Sequence, residues 1–155
     1  MTLEYYLQLQ YFNKIFFILQ KNFIGKLVKK GKKVYSIKLF NKLKYFLKKK
    51  TKKNPNFLLL VAILNSLLKV HFIKIRLGGS KKEIPVPLDF ERQIKFAITE
   101  MLYNVKTKQN KSINVKKLVN LICFCYKKRG PVLKRNYFLY KKAIENKVLL
   151  NFIKK

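Results

Sequence analysis

Apolar residues along most of the chain recur every three or four positions, the spacing that places them on one face of a helix. The segment from Val34 to Lys50 shows this pattern most clearly. Its buried face is predicted to hold Ile37, Phe40, Leu43 and Leu47. The same pattern predicts five further helices: one ending near Lys29 or Lys30, one from Phe57 to Leu68, one from Asp89 to about Val105, one capped by Ser112, and one after Gly130-Pro131.

The predicted helices differ in how far they are buried. The third, introduced by Asn54-Pro55-Asn56, is almost wholly apolar but too short for a bilayer, which takes about 20 residues, so it is predicted to be the central buried helix. The last two are amphipathic. The fifth is predicted to bury Val115, Leu118, Val119, Ile122 and Tyr126, and the sixth Tyr137, Tyr140, Ile144 and Val148.

The period of the pattern changes to two between residues 71 and 88. Isoleucines alternate with Lys74 and Arg76 before Gly78-Gly79, and apolar residues alternate again after it. This predicts a β-hairpin with a glycine turn. Pro85 and Pro87 lack an amide donor, so we expect a free-standing ribbon with an exposed edge. The predicted fold is mainly α, a single domain over 1–155 with a six-helix bundle-like body and a protruding two-stranded hairpin over about 71–88.

Charge then narrows the functional classes. The 155 residues include 37 Lys and Arg but only 6 Asp and Glu, for a net charge of +31. A hydrophobic fraction of 49% excludes a disordered basic tail. Six carboxylates and one histidine leave little acid–base chemistry, so we predict a non-enzymatic protein without a cofactor that binds a polyanion.

Two local groups could suggest metal chemistry. Cys123 and Cys125 lack the second Cys/His pair of a zinc site and are predicted to be reduced thiols in or near the core. A nuclease would need clustered carboxylates for metal ions, and Glu83, Asp89 and Glu91 form the only local group. The last two lie where a helix begins, a favourable position for acidic residues, so no metal site is predicted.

Composition also indicates the source. Lys, Ile, Asn, Phe and Tyr, which AT-rich codons specify, make up 82 of the 155 residues. Part of the lysine excess therefore reflects codon bias, and the scarcity of acidic residues is the firmer sign of an anionic partner. The N-terminus lacks the features of a secretory or transit peptide. We therefore expect a gene inside an AT-rich organelle, a mitochondrion or alternatively a plastid.

Four sequence features carry a family resemblance. In chain order they are the Phe23–Lys33 segment with its Gly-Lys-Lys turn, Leu77-Gly78-Gly79-Ser80 with the returning Ile84-Pro85-Val86, Arg92, and the Ala-x-x-Asn-Lys of Ala143–Lys147. In order and spacing the chain resembles the bacterial-type small-subunit ribosomal protein seven family from about Phe23 to Lys155. It departs from that family where residues 1–22 form a divergent, mostly apolar N-terminal extension, and where Leu43 replaces a small residue and Ile73 a basic one.

The resemblance implies a structural constituent of the small ribosomal subunit. It implies binding to small-subunit ribosomal RNA, organisation of the subunit head, contact with neighbouring ribosomal proteins, and a hairpin near exit-site transfer RNA and the messenger RNA path. With the Gly78-Gly79 turn at the hairpin tip, the predicted RNA-binding residues are Lys26, Lys32, Lys33, Lys74, Arg76, Lys81, Lys82, Arg92, Arg129, Lys134, Arg135 and Lys147. The four arginines carry most weight because guanidinium binds phosphate bidentately and stacks on bases.

Two alternatives remain open. Tyr137 and Tyr140 could stack on bases, although their helical spacing favours core packing. His71 is predicted to be a strand residue near RNA.

A different function for the whole chain is also open. The apolar N-terminal segment from Leu3 to Phe23 could make it a cationic peripheral membrane-binding protein with an amphipathic N-terminal helix, instead of an RNA-binding protein. The hairpin distinguishes these classes, because it has no purpose in a set of helices on a lipid surface.

Overall fold

The computed structural model describes residues 3–77, 79–105 and 113–148, with the side chains of 3–13 and 77 excepted. Within these ranges lie six helices and two strands, which confirms the predicted fold class. In chain order they are α1 (Leu3–Leu27), α2 (Lys33–Thr51), α3 (Pro55–Asn65), β1 (Val70–Leu77), β2 (Ser80–Pro87), α4 (Phe90–Val105), α5 (Val115–Tyr126) and α6 (Pro131–Glu145).

Local sequence explains where several helices begin. The Asn54 side chain accepts a hydrogen bond from the amide of Asn56, and Pro55 occupies the first turn of α3, as predicted. At α5 the prediction was wrong by two residues. The cap is Asn114, whose side chain accepts from the amides of Lys116 and Lys117, whereas Ser112 lies outside the described residues.

The core surrounds α3, whose Leu58, Leu59 and Ile63 are buried as predicted. Helix α2 contributes Phe40, Leu43 and Leu47, and the second half of α1 contributes Leu19, Phe23 and Leu27. The Phe23 and Phe40 rings pack with their centroids 5.5 Å apart. The end of α1 is thus part of the core.

Two predicted buried faces were partly wrong. In α2, Ile37 is 37% exposed and Ser36 is buried instead, with its hydroxyl donating to the carbonyl of Lys32. In α6, Tyr137 is 74%, Ile144 75% and Val148 (just past the helix) 73% exposed, and the buried residues are Val132 and Asn136. Asn136 donates to the carbonyl of Ser66 at 2.9 Å, so a polar contact selects the inner face of α6.

The strands pair antiparallel, and Leu77 lies opposite Ser80, which leaves a two-residue turn. Gly79 has a φ of +83°, a left-handed conformation that favours glycine; Gly78 lies outside the described residues. As predicted, the ribbon joins no larger sheet among the described residues, and its base packs against the helical body. Ile84 is fully buried and the His71 ring lies 6.4 Å from the Phe96 ring of α4.

Candidate RNA-binding surface

The turn between α1 and α2 places two of the predicted cations. Lys30 and Gly31 both have positive φ, at 48° and 72°, and the amide of Lys32 donates to the carbonyl of Lys29 at 3.1 Å. Glycine at the second position suits such a turn because it has no Cβ to clash. The turn leaves the side chains of Lys32 and Lys33 exposed at the start of α2.

An open groove of about 790 Å³ runs between α1, α2 and α4. Lys26 and Lys33, which are both predicted RNA-binding residues, line it, and the fold brings Lys21 and Lys95 to the same groove. Apolar side chains, including those of Phe17 and Ile24, form most of the rest of its lining, together with Gln20 and Asn22. We call this feature the basic groove. Sequence patterns did not select Lys95, because only the packing of α4 beside α1 brings it there.

The hairpin arm carries a second group of cations. Arg76 lies directly opposite Lys81, Lys82 lies opposite Ile75, and all three cations are exposed. Like charges at directly opposed positions destabilise a strand pair. The Arg76–Lys81 pair is therefore an arrangement that a bound anion would stabilise. Closer to the base, Lys74 lies opposite Glu83, with 3.6 Å between the ammonium nitrogen and Oε1.

The remaining predicted cations lie around α4 and α6. Arg92 is exposed and forms an ion pair with Asp89 at 3.7 Å. Arg129 belongs to the turn before α6, where its amide donates to the carbonyl of Phe124 at 2.9 Å. Lys134 is exposed on α6, and Lys147 is exposed just beyond its end. Arg135 is half-exposed and lies 3.0 Å from Glu100, so it has a partner within the protein.

The tyrosines of α6 differ from each other. Tyr140 is half-buried, and its hydroxyl accepts a hydrogen bond from the amide of Lys69 at 3.0 Å. Tyr137 faces outward, so its predicted core packing was wrong and its ring is free of the core. The neighbouring Phe138 is exposed as well. Together with Lys134 and Lys141, these rings give the outer face of α6 alternating aromatic and basic groups.

Several carboxylates form ion pairs with cations of the same chain. Each of the three that formed the only local acidic group has its own cation: Glu83 pairs with Lys142 at 2.5 Å, Asp89 with Arg92, and Glu91 with Lys95 at 3.6 Å. Among the described side chains, no three groups of metal-ligating type converge.

Two predicted features of single residues can be compared with the structure. Cys125 is buried and Cys123 half-buried, which confirms the predicted location of these residues in or near the core. Burial raises the pKa of both thiols. His71 does lie in a strand, and it is exposed.

The second half of α1 turns part of its apolar surface towards the protein core. None of the helices in the described ranges is long and apolar enough to cross a bilayer. Leu19, Phe23 and Leu27 on the second half of α1 are buried against other helices, so they are not available to insert into lipid.

A helical body that exposes all twelve predicted cations and carries a basic two-stranded arm has the features of a nucleic-acid-binding protein. Comparison with known families agrees with this class and refines it. The model for Ribosomal protein S7p/S5e matches residues 4–147, and the chain belongs to this family. The match begins well before Phe23, so it also covers most of the segment that showed no resemblance by motif.

Relatives come from bacteria and from other lineages. The small ribosomal subunit protein uS7 of Rickettsia bellii is 25% identical over 135 residues, which are 87% of this chain and 82% of the relative. The protein uS7c of Pleurastrum terricola is 25% identical over 87% of each chain. The protein uS7m of Reclinomonas americana is 26% identical over 130 residues, 84% of this chain and 81% of the relative.

Proposed function

We propose that this protein binds small-subunit ribosomal RNA through the basic groove, the hairpin arm and the start of α6, as a structural constituent of the subunit without enzymatic activity or a cofactor. Membership of a ribosomal protein family supports the structural role. The observation that carries the RNA-binding part is the large excess of exposed cations over carboxylates. All twelve predicted cations are exposed, while four of the six carboxylates are paired with cations of the same chain.

The physical basis of binding is phosphate neutralisation. Each lysine or arginine that contacts a phosphate releases condensed counterions, which makes the affinity dependent on salt. Folded RNA is recognised largely through the shape of its backbone, because the deep major groove of an A-form helix excludes side chains. A rigid body with a basic groove suits a junction of RNA helices, and a thin arm suits a crevice between them.

We further propose a location for the protein within the ribosome, by extending the role of its family to this chain. The protein organises the head of the small subunit, contacts neighbouring small-subunit proteins, and places its hairpin near exit-site transfer RNA and the messenger RNA path. Residues 1–155 act as one RNA-binding domain, in which residues 1–22 are a divergent extension. Relatives named uS7m and uS7c, together with the AT-rich composition, favour an organellar ribosome. Of the organelles, we propose the mitochondrion, with a plastid as the alternative.

Sedimentation of an organellar lysate tests this proposal directly. The protein should travel with the small subunit in a sucrose gradient at magnesium concentrations that keep subunits intact, and it should move to the top of the gradient after ribonuclease treatment. Recovery only in a membrane pellet that resists a salt wash would overturn the ribosomal role and favour the peripheral membrane protein. If the protein kept its rapid sedimentation after complete digestion of the RNA, RNA binding would be overturned.

A further inference from the structure

Helix α6 holds one residue of the returning strand, Glu83, by two hydrogen bonds, in addition to the bond from the Lys69 amide to the Tyr140 hydroxyl just before β1. The Glu83 carboxylate accepts a hydrogen bond from the ammonium group of Lys142 at 2.5 Å. The Glu83 carbonyl accepts a second hydrogen bond from the side-chain amide of Asn146 at 3.0 Å. Both the side chain and the backbone of one strand residue are therefore held by the last turn of α6 and its cap.

The same two α6 residues are themselves fixed. Asn146 caps α6, and its backbone amide donates to the carbonyls of Ile144 and Lys142. Its side chain therefore projects from a defined point. The Lys142 ammonium also lies 5.5 Å from the centroid of the Phe72 ring on β1. Lys142 thus contacts both strands of the hairpin, and its interaction with an aromatic face adds to the ion pair.

A contact at this position controls the direction of the arm. An isolated two-stranded hairpin is marginally stable in water, so its order depends on what its base packs against. On the face opposite to Phe72, Ile84 is buried and His71 contacts Phe96 of α4. Without the contacts of Lys142 and Asn146, the arm could tilt away from α6 about its base.

We propose that Glu83, Lys142 and Asn146 form a clamp that fixes the direction of the hairpin arm relative to the helical body, so that the arm and the body engage RNA as one preorganised surface. These are positioning residues, and they give the Ala-x-x-Asn-Lys segment a role within the protein through its asparagine. The part of the proposal that concerns RNA rests on the proposed function, whereas the arm direction is a property of the free protein.

The pKa of Glu83 agrees with this geometry. The hydrogen bond from Lys142 outweighs the opposing effect of desolvation, and the pKa of Glu83 lies below its ordinary value of 4.5. The charged groups that face this carboxylate are Lys142 from α6 and Lys74 from β1, while Glu145 and Lys82 line the same depression in the surface. The carboxylate is therefore ionised at neutral pH, as the clamp requires.

The test measures the arm in the full-length free protein. Spin labels at positions 81 and 49, on the arm and on α2, are attached through a ketone-bearing amino acid that leaves Cys123 and Cys125 unmodified. Electron–electron distance measurements should give one narrow distribution in the otherwise unchanged chain. The double variant Glu83→Gln/Asn146→Ala should broaden it at least about two-fold, because the arm then samples several directions. The matched control is Glu91→Gln, which removes one charge from an exposed ion pair within α4.

Two results would overturn the clamp. One is an unchanged distance distribution in the double variant, provided that its circular dichroism is that of the parent chain. The other is an equal broadening in the Glu91→Gln control. Should the double variant fail to fold, Lys142→Met replaces it under the same criteria, because methionine keeps an unbranched side chain only one atom shorter and removes the charge.

Chemical footprinting on small-subunit ribosomal RNA then examines the consequence for binding. The double variant should lose the protections that depend on Arg76 and Lys81 and keep those that depend on Lys26 and Lys33. Loss of both sets in a folded variant would overturn a role limited to the arm. If the parent chain itself gave no footprint, the proposed RNA binding would fail, while the distance measurement would still decide on the clamp.

Discussion

Arg135 of α6 lies 3.0 Å from the carboxylate of Glu100 in α4, and the Glu100 side chain is only 10% exposed. Arg135 was selected from the sequence as a phosphate ligand, yet this contact gives it a role in the protein interior. Since α6 buries few apolar side chains, an ion pair to a nearly buried carboxylate is an important part of its attachment. The half-exposed guanidinium remains able to contact a phosphate with its outer edge.

Replacing this arginine should therefore reduce stability as well as affinity. Arg135→Ala leaves the Glu100 carboxylate without its partner, and we expect the free energy of unfolding to fall by about 1–3 kcal/mol. Equilibrium unfolding in urea measures this. The matched control is Arg129→Ala in the exposed turn before α6, which should change stability by no more than about 0.5 kcal/mol. Equal stability of the two variants would contradict a structural role for Arg135.

The ion pair of Glu83 should make the stability of the hairpin junction depend on pH. The folded-state pKa is lowered, so the folded protein binds fewer protons than the unfolded chain as the pH approaches this range. The stabilisation is fully present above pH 4.5 and is lost as the pH falls through the folded-state pKa. The difference in unfolding free energy between the parent and Glu83→Gln should therefore shrink on acidification below 4.5.

A control for this titration is again Glu91→Gln. Glu91 is largely exposed and pairs only with the nearby Lys95 on its own helix, so its difference from the parent should vary less with pH. A Glu83→Gln difference that stayed constant from neutral pH to below 4 would show that the carboxylate is not held by Lys142 in solution.

The two cysteines should be protected from alkylation in the folded protein. Burial raises the pKa of both thiols, and the reactive species is the thiolate. We expect iodoacetamide to modify the native chain at least about ten-fold more slowly than the urea-unfolded chain at the same pH. Mass spectrometry should show Cys123 modified before the fully buried Cys125. The reverse order would contradict the burial of Cys125 against α3.

Leu43, which the family resemblance identified as a replacement for a small residue, is fully buried. If the core has repacked around it, Leu43→Ala creates a cavity and should destabilise the fold by about 2–5 kcal/mol. Tyr45→Ala on the exposed side of the same helix is the control and should have a small effect. A stability loss at Leu43 below that at Tyr45 would show that the surrounding helices close the space without penalty.

RNA affinity should depend on salt through the basic groove. For Lys26→Ala/Lys33→Ala, the slope of log affinity against log salt should become shallower by about 1.8 if both lysines meet duplex phosphates. Fluorescence anisotropy with a fragment of small-subunit ribosomal RNA, over a series of potassium concentrations, measures the slope. Lys48→Ala/Lys49→Ala at the end of α2 provides a control of equal charge. A slope that is the same in the parent and the groove variant would exclude phosphate contacts by these two lysines.

The sequence was most informative where one kind of residue determines the local structure. Asn54-Pro55 marked the start of α3, and the alternation around Gly79 marked both strands, because capping and β pairing depend on near neighbours. Burial in α6 was predicted only in part. Apolar residues at positions 137 and 144 suggested an inner face, but that face is selected by Asn136, whose partner Ser66 is seventy positions away in the chain.

The surface was predictable in its composition but not in its arrangement. Each chosen cation proved to be exposed, as lysine and arginine usually are. Which of them act together depends on tertiary packing: Lys95 joins Lys26 only because α4 lies beside α1. The contacts of Glu83 were equally hidden, since its partners Lys142 and Asn146 are about sixty positions away and belong to another helix.

The two-stranded ribbon also has a consequence for the protein before it meets RNA. A short sheet with no third strand presents unpaired backbone groups, which can template the association of one chain with another. Here Pro85 and Pro87 cannot donate to such a ladder, and the charges of Lys74, Arg76 and Lys81 would repel a second copy of the arm. The same side chains that suit the arm to a polyanion therefore keep newly made molecules from aggregating through their hairpins while they await assembly.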